Sequence, residues 1–201
     1  MNGLSILDQN ITKSLIDFTL KNPSVLYWTK LIAQYLIYSI PIFLLLIWFW
    51  PKTFCFEKIK PDTTRKNSLK AVIIALIAWQ VAARVIGNLI DRARPAVSIL
   101  NGKEILFHRP TYSFPSDHST FIFTLAFCYL FSENKKIGWI LMVFGIIISI
   151  SRVMVGVHFA GDVLAGFLLG LIVALSFQFL KIIIEPIVNI IFILTKKIGL
   201  A

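Results

Sequence analysis

The sequence is poor in charge, and the charge it has is mostly of one sign. Only 15% of its 201 residues are charged, with 20 Lys and Arg against 10 Asp and Glu. A soluble domain carries about a quarter charged residues. Hydrophobic residues reach 57%, so we exclude a soluble domain and predict one integral membrane domain over residues 1–201.

The net charge of +10 does not indicate a nucleic-acid partner. The basic residues lie in short loops between long apolar runs, a pattern typical of membrane topology determinants. We therefore expect the partners to be the lipid bilayer and a membrane lipid, with no nucleic acid. The oligomeric state is not readable from the sequence.

Cysteine and other metal ligands are also scarce. The two cysteines are Cys55 in a loop and Cys128 inside an apolar run, which disfavours a disulfide. No Cys, His or carboxylate cluster has metal-ligand spacing, so we expect neither a metal nor another cofactor. The N-terminal segment is amphipathic and carries acids, unlike a cleavable signal peptide.

Five apolar runs approach the roughly 20 residues that a spanning helix needs. We predict an all-α, polytopic membrane helix bundle with five or six spans and an amphipathic N-terminal segment. The runs lie at about Val25–Trp50, Leu69–Ile90, Ser116–Phe131, Ile137–Val157 and Phe159–Leu180. A sixth, Ile182–Leu194, is short and interrupted by Glu185-Pro186, so it either lies at the interface or extends the bundle.

Along the sequence, lysine-rich loops alternate with loops that carry arginine, histidine, serine and aspartate. With five spans, the lysine-rich loops all fall on one side, which the positive-inside tendency makes cytoplasmic. We expect a multi-pass protein of the cell inner (plasma) membrane whose opposite face points outside, toward the periplasm. That outer face collects Asp91, Arg92, Arg94, Ser116, Asp117, His118, Arg152, His158 and Asp162. Ionisable groups at membrane depth cost about 2.5–3.5 kcal/mol each and mark functional sites by default.

The stretch SRVMVGVHFAGD holds the first candidate catalytic group. His158 and Asp162 are four residues apart, so on a helix they share one face. The carboxylate is then expected to accept one ring N–H and to leave the other nitrogen as a nucleophile or base. Arg152 offers a planar fork for phosphate oxygens. A satisfied polar pair without function is the alternative for His158 and Asp162 alone.

The stretch PSDHS places a second histidine, His118, at a helix N-terminus, where unpaired amides favour anions. Ser116 either caps this helix or donates to an anion. Arg92 and Arg94 add guanidiniums nearby, although Arg92 is equally explained by snorkelling to lipid headgroups. Together these residues predict phosphoryl transfer, with His158 attacking phosphorus and His118 protonating the leaving oxygen.

These residues resemble the type 2 phosphatidic acid phosphatase superfamily, which includes membrane lipid phosphatases and vanadium haloperoxidases. Its motifs are K-x6-R-P, P-S-G-H and S-R-x5-H-x3-D. The third matches Ser151, Arg152, His158 and Asp162; the second matches Pro115, Ser116, Asp117 and His118; the first matches only Arg94 and Pro95. The resemblance covers a core of about residues 69–180. It implies a helical bundle and a metal-independent, phosphohistidine mechanism.

The sequence departs from these motifs twice. Gly87 stands where the first-motif lysine is expected. Either one of Arg84, Asn88, Arg92, Lys103 and Arg109 substitutes for it, or the pocket has one phosphate contact fewer. For Arg84 the alternative is a buried pair with Asp91. Asp117 replaces glycine, and FPSDH together with the loop around His108 and Arg109 resembles the subgroup that dephosphorylates undecaprenyl diphosphate. Asp117 either orients a cation (Arg92, Lys103 or Arg109) toward the second phosphate of a diphosphate, or accepts a proton from a protonated terminal phosphate, or is a helix residue favoured by the dipole.

We therefore predict a lipid phosphatase or diphosphatase that converts undecaprenyl diphosphate to undecaprenyl phosphate in cell-wall lipid carrier recycling. Phosphatidylglycerophosphate, phosphatidic acid and lipid A phosphates are the alternative substrates. A transporter or flippase is the alternative from another class, and it predicts ionisable groups near the membrane midplane on discontinuous helices.

Overall fold

The protein is a bundle of helices, as expected. The computed structural model describes residues 3–54, 59–106 and 112–200, and every regular element within these ranges is helical. A 3-10 turn, Leu36–Tyr38, joins α2 to α3, and a π-helical segment, Ala78–Ala83, joins α5 to α6. The helices are α1 Gly3–Lys21, α2 Pro23–Tyr35, α3 Ser39–Phe49, α4 Pro51–Phe54, α5 Pro61–Ile77, α6 Arg84–Ile90, α7 Pro95–Ser98, α8 Asp117–Leu130, α9 Lys135–Met154, α10 Ala160–Phe179 and α11 Lys181–Lys197.

Within the described ranges, four helical segments are long and apolar enough to cross a membrane. They are Pro23–Phe49, Pro61–Ser98, Lys135–Met154 and Ala160–Phe179. The remaining predicted span corresponds to α8, which has 14 residues and a length of about 21 Å at 1.5 Å per residue. It is shorter than the ~30 Å hydrocarbon core, so the count of five or six spans stays a prediction.

Helix α8 is the centre of the bundle. Ten of its residues are buried, and it packs against α5, α9 and α10. Gly166 and Gly170 of α10, four residues apart, bring the α10 backbone close to α8. A Cβ at Gly166 would lie 2.8 Å from Ser119 Cβ and 2.9 Å from the Ser116 carbonyl oxygen. Small residues at this spacing permit such close helix packing.

The two ends of the bundle have different chemistry. At one end, the Ser116 amide donates to the Asp162 carbonyl at 3.0 Å and the Ser113 amide donates to the Arg92 carbonyl at 2.8 Å. These bonds join the ends of α6, α8 and α10. At the other end, Tyr129 of α8 donates to Ser68 of α5. Lysines recur there, among them Lys66, Lys70, Lys135, Lys136 and Lys196.

Helix α11 continues through Pro186, so the predicted interruption at Glu185-Pro186 is wrong. Ile184, Val188 and Phe192 are each 4% exposed and form one buried stripe, whose packing offsets the backbone hydrogen bond that proline removes. Lys196 pairs with Asp62 at 2.6 Å and Glu185 lies 3.9 Å from Lys70. Helix α11 therefore runs antiparallel to the first turns of α5.

Helix α1 is amphipathic, as predicted, and one of its faces packs on the protein. Thr12, Ile16 and Thr19 are fully buried. Leu7, Ile11 and Phe18 are exposed, as expected for a face in contact with lipid.

Candidate active site

His158 lies in the loop between α9 and α10, and its ring is fixed by a backbone carbonyl. Nδ1 is 2.8 Å from the Ser113 carbonyl oxygen. Because a carbonyl oxygen only accepts, Nδ1 carries the proton and Nε2 of the neutral ring presents a lone pair. Nε2 is buried and has no hydrogen-bond partner among the residues that the structure describes. The ring is thus held in one orientation, with the lone pair of Nε2 uncommitted within the described residues.

The predicted direct hydrogen bond from His158 to Asp162 is wrong. The Asp162 carboxylate lies 3.8 Å from Nδ1, because His158 precedes the first residue of α10 and the helical i, i+4 geometry does not apply. Oδ2 of Asp162 instead accepts from the Phe159 amide at 2.8 Å, and Oδ1 accepts from Arg92 at 2.7 Å. Asp162 therefore acts on His158 by charge at short range.

Burial lowers the pKa of His158 below its ordinary value, and the charges of Arg152 and Arg94 act in the same direction. The Asp162 carboxylate opposes them. The ring is therefore neutral at pH 7, the state in which Nε2 can attack.

Arg94 and Arg152 are both buried beside this loop, at 7% and 1% exposure. Arg94 donates to the carbonyls of Val157 and Tyr112, each at 2.8 Å. Arg152 donates to the carbonyl of Ala33 in α2 at 2.8 Å. Backbone carbonyls thus help to fix both guanidiniums, whose charges lower the pKa of His158.

Arg92 has partners that the sequence did not indicate. One terminal nitrogen is 2.7 Å from Asp162 Oδ1 and the other is 2.6 Å from Asp8 Oδ2. Its guanidinium also lies over the Phe159 ring, 3.8 Å from the centroid. In this arrangement its charge is shared by two carboxylates, which makes it a bridge and disfavours the predicted phosphate contact.

The N-terminus of α8 supplies the second half of the site. Ser116 is fully buried and its side chain makes no capping bond within the described part of the chain, so the alternative role as a side-chain cap is not realised. Its Oγ accepts from Ser119 Oγ at 3.1 Å, and Ser119 Oγ is 2.8 Å from Ser149 Oγ. His118 lies in the first turn of α8, where helix amides lack intrahelical partners.

An apolar groove adjoins this helix end. It has a volume of about 410 Å³, within the range of sites that hold a drug-sized ligand. Asp117 and His118 stand on its wall, next to side chains that are mostly apolar. The groove is lined by Ile37, Tyr38, Pro41, Leu44, Val72, Trp79, Asp117, His118 and Phe121.

Tyr112 fills the place of the first-motif lysine. A Cβ built on Gly87 would overlap the Tyr112 ring, so no larger side chain fits there without displacing it. Burial and the nearby Asp117 carboxylate raise the pKa of Tyr112, while Arg84 lowers it. Arg84 is exposed and therefore belongs to no buried pair with Asp91.

Among the residues that the structure describes, Asp117 forms no salt bridge with the cations expected beside it. Its Oδ1 is buried without a hydrogen bond among the described residues. Of the candidate partners, Arg92 is held by Asp8 and Asp162, Lys103 is exposed in its loop, and Arg109 lies outside the described residues, as does His108.

Sequence reasoning missed three contributors to the site: Asp8, Thr12 and the carbonyl of Ser113. Asp8 and Thr12 belong to a polar stripe on α1, spaced four residues apart, which could have indicated a buried face. A backbone carbonyl leaves no mark in the sequence. Within the described ranges, no group of three His, Cys, Asp or Glu side chains is arranged to hold a metal ion.

Residues 68–182 match the family model described as the PAP2 superfamily. The chain is 30% identical over 161 residues to the bacitracin transport permease protein BcrC of Bacillus licheniformis, covering 79% of this chain and 71% of that protein. It is 32% identical over 174 residues to the putative undecaprenyl-diphosphatase YbjG of Escherichia coli strain K12, covering 85% of this chain and 82% of that protein.

The fold is similar to the crystal structure of a transmembrane PAP2 type phosphatidylglycerolphosphate phosphatase from Bacillus subtilis. The TM-score is 0.61 at 24% sequence identity, covering 90% of this chain and 87% of that chain. At this identity the similarity concerns the fold alone.

Proposed function

Since the chain belongs to the PAP2 superfamily and is a membrane lipid phosphatase, we propose that it hydrolyses undecaprenyl diphosphate through a phosphohistidine intermediate on His158. The observation that carries the mechanism is the His158 ring, whose Nδ1 is held by the Ser113 carbonyl and whose buried Nε2 presents a lone pair. The substrate rests on Asp117, on the apolar groove and on the similarity to YbjG.

In the proposed first step, His158 Nε2 attacks the terminal phosphorus. The bond between that phosphorus and the bridging oxygen breaks, and protonated His118 gives its proton to the leaving lipid monophosphate. Water then attacks the phosphohistidine, His118 takes a proton from that water, and inorganic phosphate leaves. The net change is the hydrolysis of one phosphoanhydride bond.

The charge on the transferred phosphoryl group falls on its three equatorial oxygens. We assign their binding to Arg94, Arg152, Ser116 and the first amides of α8. The N-terminus of α10 is a poorer anion site, because side chains already accept from the amides of Phe159, Ala160 and Gly161. The ring of His158 gains positive charge as Nε2 bonds to phosphorus, and the Asp162 carboxylate stabilises it.

The groove supports a substrate whose apolar chain begins next to the phosphates. Phe121, Val72 and Leu44 contribute apolar side chains to its walls, and Asp117 and His118 contribute charged or polar ones. We propose that the chain segment next to the phosphates lies here, with the terminal phosphate at His158.

The different chemistry of the two ends of the bundle supports a proposed orientation in the membrane. The lysine-rich end is proposed to face the cytoplasm and the site end the outer leaflet of the plasma membrane. On a background without Cys55 and Cys128, an impermeant maleimide added to intact cells should label a cysteine at Asn101 and not one at Thr53, both exposed positions. Labelling at Thr53 alone would invert the proposed orientation.

Two alternatives remain to be separated by experiment. Phosphatidylglycerophosphate is suggested by the name of a relative, phosphatidylglycerophosphatase B of Bacillus subtilis, which is 35% identical over 99 residues. A transport role is suggested by the name of the Bacillus licheniformis relative, but the charged site lies at the ends of helices, whereas transporter sites lie near the membrane midplane.

The deciding experiment measures phosphate release by the purified protein in detergent. Undecaprenyl diphosphate, phosphatidylglycerophosphate, phosphatidic acid and a lipid A phosphate are compared by kcat/KM, with His158→Gln as the inactive control. The proposal expects the highest kcat/KM for undecaprenyl diphosphate. A higher kcat/KM for a monophosphate would refute undecaprenyl diphosphate as the substrate. Full activity in His158→Gln would refute the mechanism.

A further inference from the structure

Helix α1 reaches the site end of the bundle, although it lies outside the 68–182 segment that matches the family model. Its buried face carries Thr12, Ile16 and Thr19, and the Asp8 side chain on the same side is only 15% exposed. A helix that served only to anchor the chain in lipid would not place a carboxylate there.

The Asp8 carboxylate makes two bonds at the site. Oδ1 accepts from the Gly161 amide at 2.7 Å, and Oδ2 accepts from Arg92 at 2.6 Å. Thr12 accepts from the Ala160 amide at 3.1 Å. A Cβ at Gly161 would lie 2.8 Å from Asp8 Oδ2, so this approach needs glycine at position 161.

Arg92 connects Asp8 to the site. Its other terminal nitrogen donates to Asp162 Oδ1 at 2.7 Å, and Asp162 Oδ2 lies 3.8 Å from the Nδ1 of His158. The four side chains therefore form one continuous series: Asp8, Arg92, Asp162 and His158.

We propose that Asp8 is a positioning residue for the phosphoryl-transfer step, acting through Arg92 on Asp162. This inference rests on the proposed role of His158. Arg92 is 25% exposed and has a long, flexible side chain. The Phe159 ring supports one face of its guanidinium, and engagement of both terminal nitrogens fixes its orientation in that plane. Together with the Phe159 amide, which donates to Oδ2, that orientation sets the position of the Asp162 carboxylate against His158.

The charge of Asp8 has a second effect. Arg92 shares its positive charge between Asp8 and Asp162, which leaves Asp162 enough negative charge to stabilise the ring of His158 as it becomes positive. Without Asp8, the whole charge of Arg92 falls on Asp162. The transition state then loses stabilisation that the bound substrate never had, and such a loss lowers kcat without raising KM.

The test compares Asp8→Asn with Asp17→Asn in the purified full-length protein. Asp17 lies on the same helix and is exposed, so it controls for loss of one carboxylate from α1. The substrate is undecaprenyl diphosphate, or any other lipid phosphate that the wild-type protein cleaves. We expect Asp8→Asn to lower kcat about 10- to 100-fold, the range for misplaced catalytic geometry, with KM changed less than about twofold. Asp17→Asn should match the wild type.

A double-mutant cycle with Arg92→Gln separates positioning from general stability. If Asp8 acts through Arg92, Asp8→Asn causes no further loss of kcat in the Arg92→Gln background. The inference would be overturned if the kcat losses of the two single variants multiply in the double variant, or if Asp8→Asn has the wild-type kcat.

Two further variants keep the outcome decisive. Should Asp8→Asn fail to fold, Gly161→Ala displaces the Asp8 carboxylate without removing its charge, and the same fall in kcat is expected. A wild-type kcat in Gly161→Ala would then overturn the inference. The His158→Ala variant separates the proposed mechanism from the role of Asp8. If His158→Ala is inactive and Asp8→Asn has the wild-type kcat, only the role of Asp8 is rejected. If His158→Ala is active, the proposed mechanism is rejected.

Discussion

The close packing of α10 on α8 predicts that two equal substitutions will have unequal effects on catalysis. A Cβ at Gly166 would lie 2.8 Å from Ser119 Cβ, and a Cβ at Gly170 would lie 2.9 Å from the Thr124 amide nitrogen. Both contacts are shorter than the 3.4 Å at which ordinary van der Waals contact begins. Gly166→Ala and Gly170→Ala should therefore each push the helices apart by about half an ångström.

The cost in stability should be similar for both variants. Overpacking of this kind costs about 1–3 kcal/mol, which lowers the Tm of a protein of this size by about 2–12 °C. The cost in catalysis should differ. Gly166 packs on Ser116 and Ser119, which begin α8 at the site, whereas Gly170 packs one turn farther away. A displaced first turn of α8 misplaces Ser116 and His118, and a misplacement of this order lowers kcat by about tenfold or more.

The assay pairs thermal unfolding in detergent with steady-state phosphate release. We expect comparable Tm values for the two variants and a kcat at least about fivefold lower for Gly166→Ala than for Gly170→Ala. Equal kcat values at equal Tm would refute the argument that the first turn of α8 carries substrate-binding and proton-donating groups.

Three further predictions concern the substrate and the chemistry. Asp117→Gly should lower kcat/KM for undecaprenyl diphosphate more than for a monophosphate lipid. The difference should be smaller than the about 2.7–4 kcal/mol that losing a direct donor costs. If the ratio of the two kcat/KM values is unchanged, Asp117 does not select the substrate. Val72→Trp, which fills the groove, should lower kcat/KM for long-chain lipids about tenfold or more, because each displaced methylene costs about 0.8 kcal/mol. It should leave kcat/KM for short-chain esters unchanged. The control is Ile42→Trp, at an exposed neighbouring position. Activity should survive EDTA, and vanadate should inhibit; a strict requirement for added magnesium after chelation would contradict the mechanism.

The helical architecture was predictable because it depends on long apolar runs and on the places where charge interrupts them. The motif residues were predictable as a group, since Arg94, His118 and His158 follow or begin such runs. The short α8 was harder to interpret, because its burial comes from the helices around it. Likewise, packing along α11 keeps the helix continuous through Pro186, although the local sequence predicts a helix break there.

The local spacing of His158 and Asp162 gave the right pair and the wrong contact. The helix begins only at Ala160, and that boundary could not be read to within two residues. The contact of α1 with the site was not predictable at all, because Asp8 meets Gly161 across 153 positions of sequence. Such a contact leaves no periodic signal in a single sequence.

The central claim is that His158 becomes phosphorylated during turnover. The measurement is rapid quenching of the enzyme with substrate labelled at the terminal phosphate, followed by mapping of the label and tests of its acid and base stability. We predict an acid-labile, base-stable label on His158 that is absent from the folded His158→Ala variant, which should also lack turnover. A label on another residue, or substantial turnover by His158→Ala, would contradict the account.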